Sequence, residues 1–544
     1  TITNDDWTLT LKGSISGAAG LTLHAGAIVY MRGTVDNSYA GLTTVNGLNG
    51  LQLAKSSGAT AIAGDLQING GSRVVQSADD QIADTSTVTV NGNYQLFDSS
   101  EAFQTLMGSG TVEGFQPLGN ETLAIGSGNF SGSISDTGSD GTTLRKFGTG
   151  TLRLSGENAY LGGTQFDGGI ISTDSDTGLG DASGGLSFDG GTLENTAAFA
   201  TDRATTLGAG GGTFQTDADL THTGVITGAG GLTKTGSGTL ILDDSNSYTG
   251  STAVQAGKLI VGSDDTHASA SVAGDVAVVS GATVGGHGSI GGNVTLAAGA
   301  HLAPGNSIGT LNVTGDFTTT QGSVLDYEFG APGAGLGTFG QSDRTVVGGN
   351  LTLDGAVLNI TDIGGFGAGV YNLFTYGGTL SQSHGGVSLG TVPSGTYTLQ
   401  TLTGSKQVNL INATGLTLNF WNANGLASNS TSGGGDGTWS TTAPVWTDAN
   451  GNVTLAMQPQ PGFTIFGGTP GTVTVDNSAT AVSATGLQFA SDGYTLTGDT
   501  LTLISAGSMP ILRVGDGSST GANRYAWPTT RRLYMITNTG ASTI

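Results

Sequence analysis

The chain of 544 residues contains no cysteine. That excludes a disulfide framework, a thiol nucleophile and a zinc knuckle. It also suits a chain that crosses an oxidising periplasm unfolded, where free thiols would pair. Charge is scarce too, at 10% of residues. The 16 basic residues are outnumbered by 40 acidic ones, for a net charge of −24. Only Arg524, Arg531 and Arg532 cluster, near the end. Nucleic-acid binding needs a basic patch to neutralise phosphate, so this composition argues against it. An acidic, sparsely charged surface reads as a solubility feature or as cation-dependent adhesion. Proline is rare, at 10 residues, and no apolar run is long enough to span a bilayer. The opening Thr1-Ile2-Thr3-Asn4-Asp5 is not a signal peptide, so the numbering reads as a mature chain or a fragment. Apolar residues do not recur at i, i+3, i+4, i+7, which removes the amphipathic helix as a building unit.

Glycine is abundant instead, at 98 residues, without the three-residue period of collagen. An apolar share of 36% argues against simple disorder. Thr, Ser and Asn fill the surface positions, and these are strand and turn formers.

Internal repetition organises the sequence. One block reads Gly148-Thr149-Gly150-Thr151-Leu152-Arg153-Leu154, then Asn158, Tyr160, Gly162, Thr164 and Gly169. A second reads Gly236-Ser237-Gly238-Thr239-Leu240-Ile241-Leu242, then Asn246, Tyr248, Gly250, Thr252 and Gly257, at a constant offset of 88. Lys146 and Lys234 keep the same register. Shorter periods follow. Gly274, Val276, Val278, Gly281 and Val284 match Gly292, Val294, Leu296, Gly299 and Leu302 at an offset of 18, and Gly315, Phe317, Gly322 and Leu325 continue at 23. Each unit is a short alternating strand closed by Gly, Asn or Asp, so one set of side chains faces inward.

A repeat of about 18–25 residues built from short strands is one coil of a parallel β-helix. The expected fold is all-β: a right-handed parallel β-helix, or solenoid, forming an elongated rod. Twenty or so coils at about 4.8 Å each make a length on the order of 100 Å. Antiparallel sandwiches are the alternative, but they rarely repeat at so short a period. The expected divisions are N-terminal coils at 1–140, a repeat pair at 141–262, further coils at 263–419 and an aromatic-bearing module at 420–544.

The stretch Gly230-Gly231-Leu232-Thr233-Lys234 through Leu242, with Asn246, Tyr248-Thr249-Gly250 and Gly257-Lys258-Leu259, resembles the autotransporter-associated β-strand repeat of Gram-negative passenger domains. The copy at 144–172 resembles it as well, with Thr142-Thr143-Leu144 where a double glycine is usual. Gly299 to Leu311 is similar to another segment of such passengers. The unit from Phe420-Trp421-Asn422 through Trp439, Trp446, Phe466-Gly467-Gly468 and Asp492-Gly493-Tyr494 resembles an aromatic module of large autotransporters. The resemblance implies type V secretion and a place at the bacterial cell surface or in the medium. It also implies tethering through a C-terminal membrane β-barrel that is not among these residues. The tail from Arg524-Tyr525-Ala526-Trp527-Pro528 to Tyr534 is unlike the coils before it.

Catalytic candidates are thin. Gly305-Asn306-Ser307-Ile308-Gly309 fits the hydrolase elbow G-x-S-x-G, but that motif needs a strand-turn-helix context. Here the expectation is a turn between coils. His24, His222, His267, His287, His301 and His384 are dispersed, although His287 and His301 are close enough to lie on neighbouring coils. Asp174/Asp176, Asp217/Asp219, Asp243-Asp244 and Asp264-Asp265 are readable as solvated acid or as weak Ca²⁺ ligands, and Gly433-Gly434-Gly435-Asp436-Gly437 echoes a Ca²⁺-binding loop. A polysaccharide-degrading site would need carboxylates gathered about 5–10 Å apart in one groove. Paired Asp residues do not supply that, because strand neighbours face opposite sides. Trp421, Trp439 and Trp446 read as a local core rather than a sugar platform. Asn158/Tyr160 and Asn246/Tyr248 read as structural turns with side-chain hydrogen bonds.

No catalytic, cofactor-binding or metal-binding residue is assigned, no cofactor is expected beyond weak Ca²⁺ binding, and no enzyme activity is expected. The expected role is adhesion, autoaggregation or biofilm formation through many weak contacts, with self-association or surface ligands of host or neighbouring cells as partners. A filament, surface-layer or spacer subunit is the alternative, followed by a polysaccharide-degrading β-helix. No nucleic acid and no direct membrane contact are expected.

Overall fold

The structure is a computed structural model that describes residues 2–4 and 8–514, apart from 27, 48–49, 57, 116–120, 139–140, 334–338, 424–432, 452 and 505–509. The tail beginning at Arg524, with its arginine cluster and Trp527, lies outside the described residues. The chain is a parallel β-solenoid of about 21 turns. Among the described residues the only helical pieces are two 3₁₀ turns, Asp176–Leu179 and Asp265–His267. Two compact units are distinguished.

The first unit comprises 1–325 with 345–357 and 376–388. Its coils have three faces. The strand Thr143–Lys146 lies on the first face and Thr151–Leu154 on the second, and the chain crosses the third near Ala159 before returning with Thr164–Phe166 to the first. Parallel pairing stacks like faces. Leu144, Thr164, Leu186, Thr205 and Ile226 form one column. Leu152, Ile171, Leu193, Phe214, Lys234 and Val254 form a second. Leu220, Leu240, Leu259, Val284, Leu302 and Leu325 form the third.

The burial pattern follows the alternation. Thr239–Leu242 and Val294–Leu296 bury every second side chain, and the columns carry essentially no solvent exposure. Outward Thr and Ser align between coils, as in Thr105–Ser127 at 3.3 Å and Thr206–Thr227 at 3.5 Å. Truncating one column Leu to Ala costs about 2–5 kcal/mol, because the coils above and below cannot collapse into the gap.

The short periods are confirmed as coil registers. Val276 pairs with Val294, 18 residues on, and Val294 with Phe317, 23 on. Other steps are longer: 25 from Leu259 to Val284, 26 from Ser245 to Ser271 and 29 from Asn350 to Thr379. A single step of 34, Phe317 to Leu351, includes the excursion 326–344, which belongs to the second unit.

The second unit comprises 326–344, 358–375 and 389–544. Part of it is antiparallel: Gln407–Asn412 pairs with Gly369–Tyr376 on one side and with Tyr397–Leu402 on the other. Parallel stacking resumes with Phe463–Phe466, Gly486–Phe489 and Ile511–Val514, and with Gly437–Trp439, Thr472–Val475 and Thr495–Gly498. The core here is aromatic. Trp421, Trp439 and Trp446 are buried, at 1%, 1% and 0% exposure. Trp446 lies edge-on to Trp421 and Trp439 at 5.2 and 5.0 Å, and Phe466 closes the cluster. These tryptophans fill a core and offer no open face to a sugar.

Candidate functional surface and the repeat corners

The repeated residues build corners. In the first copy Asn158 sits at the turn into the third face. Its Oδ1 accepts the Ile134 N–H of the coil below at 2.8 Å, and its Nδ2 donates to the Gly178 carbonyl of the coil above at 2.8 Å. In the second copy Asn246 Oδ1 accepts from Ile226 N at 2.8 Å, while Nδ2 donates to Asp244 of its own coil at 2.9 Å. The tyrosines point inward and meet a threonine four residues on: Tyr160–Thr164 at 2.7 Å and Tyr248–Thr252 at 2.6 Å. Burial drives both phenols well above their ordinary pKa. These are the structural turns expected from recurrence.

A third such corner is present at Asn37-Ser38-Tyr39-Ala40-Gly41-Leu42-Thr43. Asn37 accepts from Ile15 N at 2.9 Å and donates to Ala61 O at 2.7 Å, and Tyr39 meets Thr43 at 2.7 Å. The shared signal is N-x-Y-x-G-x-T. It escapes a repeat search because the Lys and Gly-x-Gly upstream of the other two copies are missing here.

Lys146 and Lys234 are fully buried. Each stem occupies an apolar column, Lys146 between Ile125 and Phe166, Lys234 between Phe214 and Val254. Each ammonium turns to corner carbonyls: Phe147 at 2.7 Å and Gly168 at 3.3 Å in one copy, Thr235 at 2.7 Å, Gly236 at 3.0 Å and Ala256 at 3.0 Å in the other. Burial lowers both from 10.5 to about 8. Gly169 and Gly257 close the cage with φ of 61° and 65°, and a Cβ there would strike the Gly150 or Gly238 carbonyl.

Three buried groups carried no sequence signal. Arg203, 1% exposed, pairs with Asp176 through two 2.9 Å contacts. It also donates to the carbonyls of Gly180, Asp181 and Gly184, pinning the loop after the first repeat. His222 bridges Thr205 at 2.9 Å and the Gly224 carbonyl at 3.0 Å, and burial lowers it to about 4. Glu101 accepts from the backbone of Gln81 at 2.7 Å and Ile82 at 3.2 Å, and burial raises it to about 8. Most of their partners lie 17–27 residues away, which no local pattern reveals.

The acidic candidates are spread over separate corners. Asp174 is exposed and Asp176 faces Arg203. Asp217 is 3.4 Å from Gln215, and Asp219 accepts from Thr239 N at 2.8 Å. Asp243 accepts from Ser263 N and Oγ at 2.7 and 2.9 Å, Asp244 from Ser245 N at 2.7 Å. Asp264 caps the Asp265–His267 turn. Asp436 accepts from Thr472 N at 2.6 Å. A corner ladder runs from Asp275 to Asn293, Asp316, Asn350 and Thr379, each Oδ1 accepting the N–H stacked above at 2.7–2.9 Å. Much of the acid therefore caps coil amides. Among the described residues no group of three or more His, Asp or Glu is arranged to hold a metal ion.

The G-x-S-x-G stretch is a turn between the strands His301–Pro304 and Thr310–Val313, with Ser307 exposed. His287 lies beneath it, with Nδ1 2.8 Å from Asp265 and Nε2 accepting from Asn306 N at 3.4 Å. Gly309 leaves room for the ring, since a Cβ would lie 2.5 Å from it. His287 and His301 are on successive coils but face different partners: His301 stacks on Thr283 and under Val324. The imidazole thus clamps a turn.

Comparison with known proteins agrees with this architecture. The family described as passenger-associated-transport-repeat matches residues 144–172 and 232–261, the two strand-corner-strand cassettes just described. The chain carries two copies of this passenger repeat within a parallel β-solenoid, and in that it is similar to autotransporter passengers. It is 37% identical over 327 residues, 57% of this chain and 9% of the relative, to a protein named adhesin BmaC autotransporter from Brucella suis biovar 1 (strain 1330). It is 38% identical over 103 residues, 19% of this chain and 9% of the relative, to an extracellular serine protease of Serratia marcescens. The match thus spans about a tenth of each relative's length.

Proposed function

We propose that this passenger acts in adhesion and autoaggregation, including biofilm formation, at the bacterial cell surface or after release, as a scaffold of many weak contacts rather than as an enzyme. The observation that carries the reading is the 327-residue similarity to an adhesin autotransporter. Outward Thr and Ser pairs on neighbouring coils support it, since each offers a small uncharged polar contact and such contacts add when they are many. The partners are a second copy of the chain or ligands on host or neighbouring cells, without nucleic acid or direct membrane contact. Weak Ca²⁺ binding by exposed acid belongs to the same proposal. Static light scattering of the purified chain over a concentration series, with Ca²⁺ or chelator, tests it. Concentration-dependent mass supports self-association, and loss on chelation assigns a part to Ca²⁺. Constant monomer mass with no binding to cells overturns the adhesive reading and leaves the spacer.

A further inference from the structure

The run from Ile363 to Gly435 contains neither Asp nor Glu, although the chain has 40 acidic residues. Within it lies the strand Tyr397–Leu402, Tyr-Thr-Leu-Gln-Thr-Leu. One side pairs antiparallel with Gln407–Asn412 over six consecutive positions without a register shift. It ends its sheet, and among the described residues no strand pairs with its other side. Thr398 and Thr401 are exposed. Alternate residues of such a strand turn N–H and C=O groups outward, ready to take another strand. Proteins usually blunt such edges with charge, proline or a bulge. Leu380–Leu389 is blunted in that way, with positive φ at His384, Gly385 and Gly386. Tyr397–Leu402 carries none of these devices.

We propose that Tyr397–Leu402 is the site where a second copy of this chain adds its own Tyr397–Leu402 antiparallel, extending the sheet across two molecules. Charge selects the occupant. Two chains of net charge −24 repel over most of their surfaces, and the acid-free run is where they approach at least cost. Uncharged edges also bring no like charges face to face. The proposal rests on the self-association reading above.

The test compares the wild-type chain with T398K/T401K and T398E/T401E, by sedimentation velocity over concentration at low salt. The wild type is expected to dimerise. Each variant alone is expected to dimerise at least about tenfold more weakly, and an equimolar mixture to recover association, because Lys of one edge then faces Glu of the other. Association of T398K/T401K as strong as the wild type overturns the edge site and leaves self-association standing. A wild type that stays monomeric overturns both. Loss in each variant without recovery in the mixture also overturns the paired edge, since a damaged fold gives that result.

Discussion

The two repeat copies share their Lys, Gly-x-Gly, Asn, Tyr and Thr positions and have different addresses. Lys146 lies in the first-face column that continues to Phe166, whereas Lys234 lies in the second-face column below Val254. An offset of 88 residues therefore carries the cassette through four coils and one further face. The cassette requires a strand, a glycine corner that cages an ammonium, and an asparagine corner followed by Tyr and Thr. It does not require a particular face, since the three faces of a coil are equivalent to it. Residues repeated between the copies cannot line up into one binding stripe, which makes them builders of coils. The copies differ in reach: Asn158 ties the coils above and below, while Asn246 ties the coil below and its own.

The largest effect is expected where the copies agree. Gly169→Ala and Gly257→Ala each force a Cβ onto a left-handed residue and into a carbonyl. Strain and overpacking of about 1–3 kcal/mol apiece together cost roughly 2–6 kcal/mol of local stability. Hydrogen exchange of the amides in the caged coils measures it, since a solenoid opens locally rather than as one unit. Equal losses keep the two cages equivalent; a loss in one copy alone makes them different devices. The next effect is expected where the copies differ. Asn158→Ala orphans backbone groups on two neighbouring coils and costs about 2–3 kcal/mol, Asn246→Ala about 1–2 kcal/mol. Protection of the Ile134 and Ile226 amides reads the two corners separately, and a larger loss for Asn246→Ala reverses the ranking.

Much of the solenoid is legible in the sequence alone. The 18- and 23-residue offsets are the registers of Val276, Val294 and Phe317 themselves, because glycine corners keep constant spacing where coils carry no loops. The face of each repeat is not legible. Coil lengths vary, with steps of both 18 and 25, so an offset of 88 does not by itself state how many faces are passed. The surface acid is readable by type, but its use as amide caps, as in Asp275 over Asn293, depends on which residue stacks above. The third Asn-Tyr-Thr corner at 37–43 is hidden because only its three bonded side chains and one glycine survive.

Titration separates the buried groups by the sign of their response. Lys146 and Lys234 titrate at 10.5 when unfolded and at about 8 when buried. Between pH 8 and 10.5 the unfolded chain binds more protons than the folded one, so both copies gain stability as pH rises. Lys146→Met and Lys234→Met should each remove that slope locally. Elsewhere in the first unit the slopes oppose each other. His222, lowered from 6.5 to about 4, loses stability as pH falls across that window. Glu101, raised from 4.5 to about 8, loses it as pH rises across its own. Exchange protection followed from pH 4 to pH 8 should rise around His222 and fall around Glu101, after correction for the intrinsic rate. Glu101→Gln should flatten the second trend alone, and parallel trends at both sites would contradict the burial argument.

The smallest effect distinguishes the tyrosine corners. Tyr160→Phe removes a hydroxyl from Thr164, but the Thr164 hydroxyl still donates to the Leu179 carbonyl at 3.1 Å. Thr252 has only Tyr248 among the described contacts of its hydroxyl. A buried hydroxyl left without a partner costs more than the bond that satisfied it was worth. Tyr248→Phe should therefore cost about 1–2 kcal/mol and Tyr160→Phe about 0.5–1 kcal/mol. Adding Thr252→Val to Tyr248→Phe removes the orphaned hydroxyl while keeping the shape, and should recover most of the loss. Adding Thr164→Val to Tyr160→Phe should recover nothing, because it breaks the bond to Leu179. Equal recovery in the two copies would mean that the bond from Thr164 to the Leu179 carbonyl, the one contact that separates these corners, carries no energy.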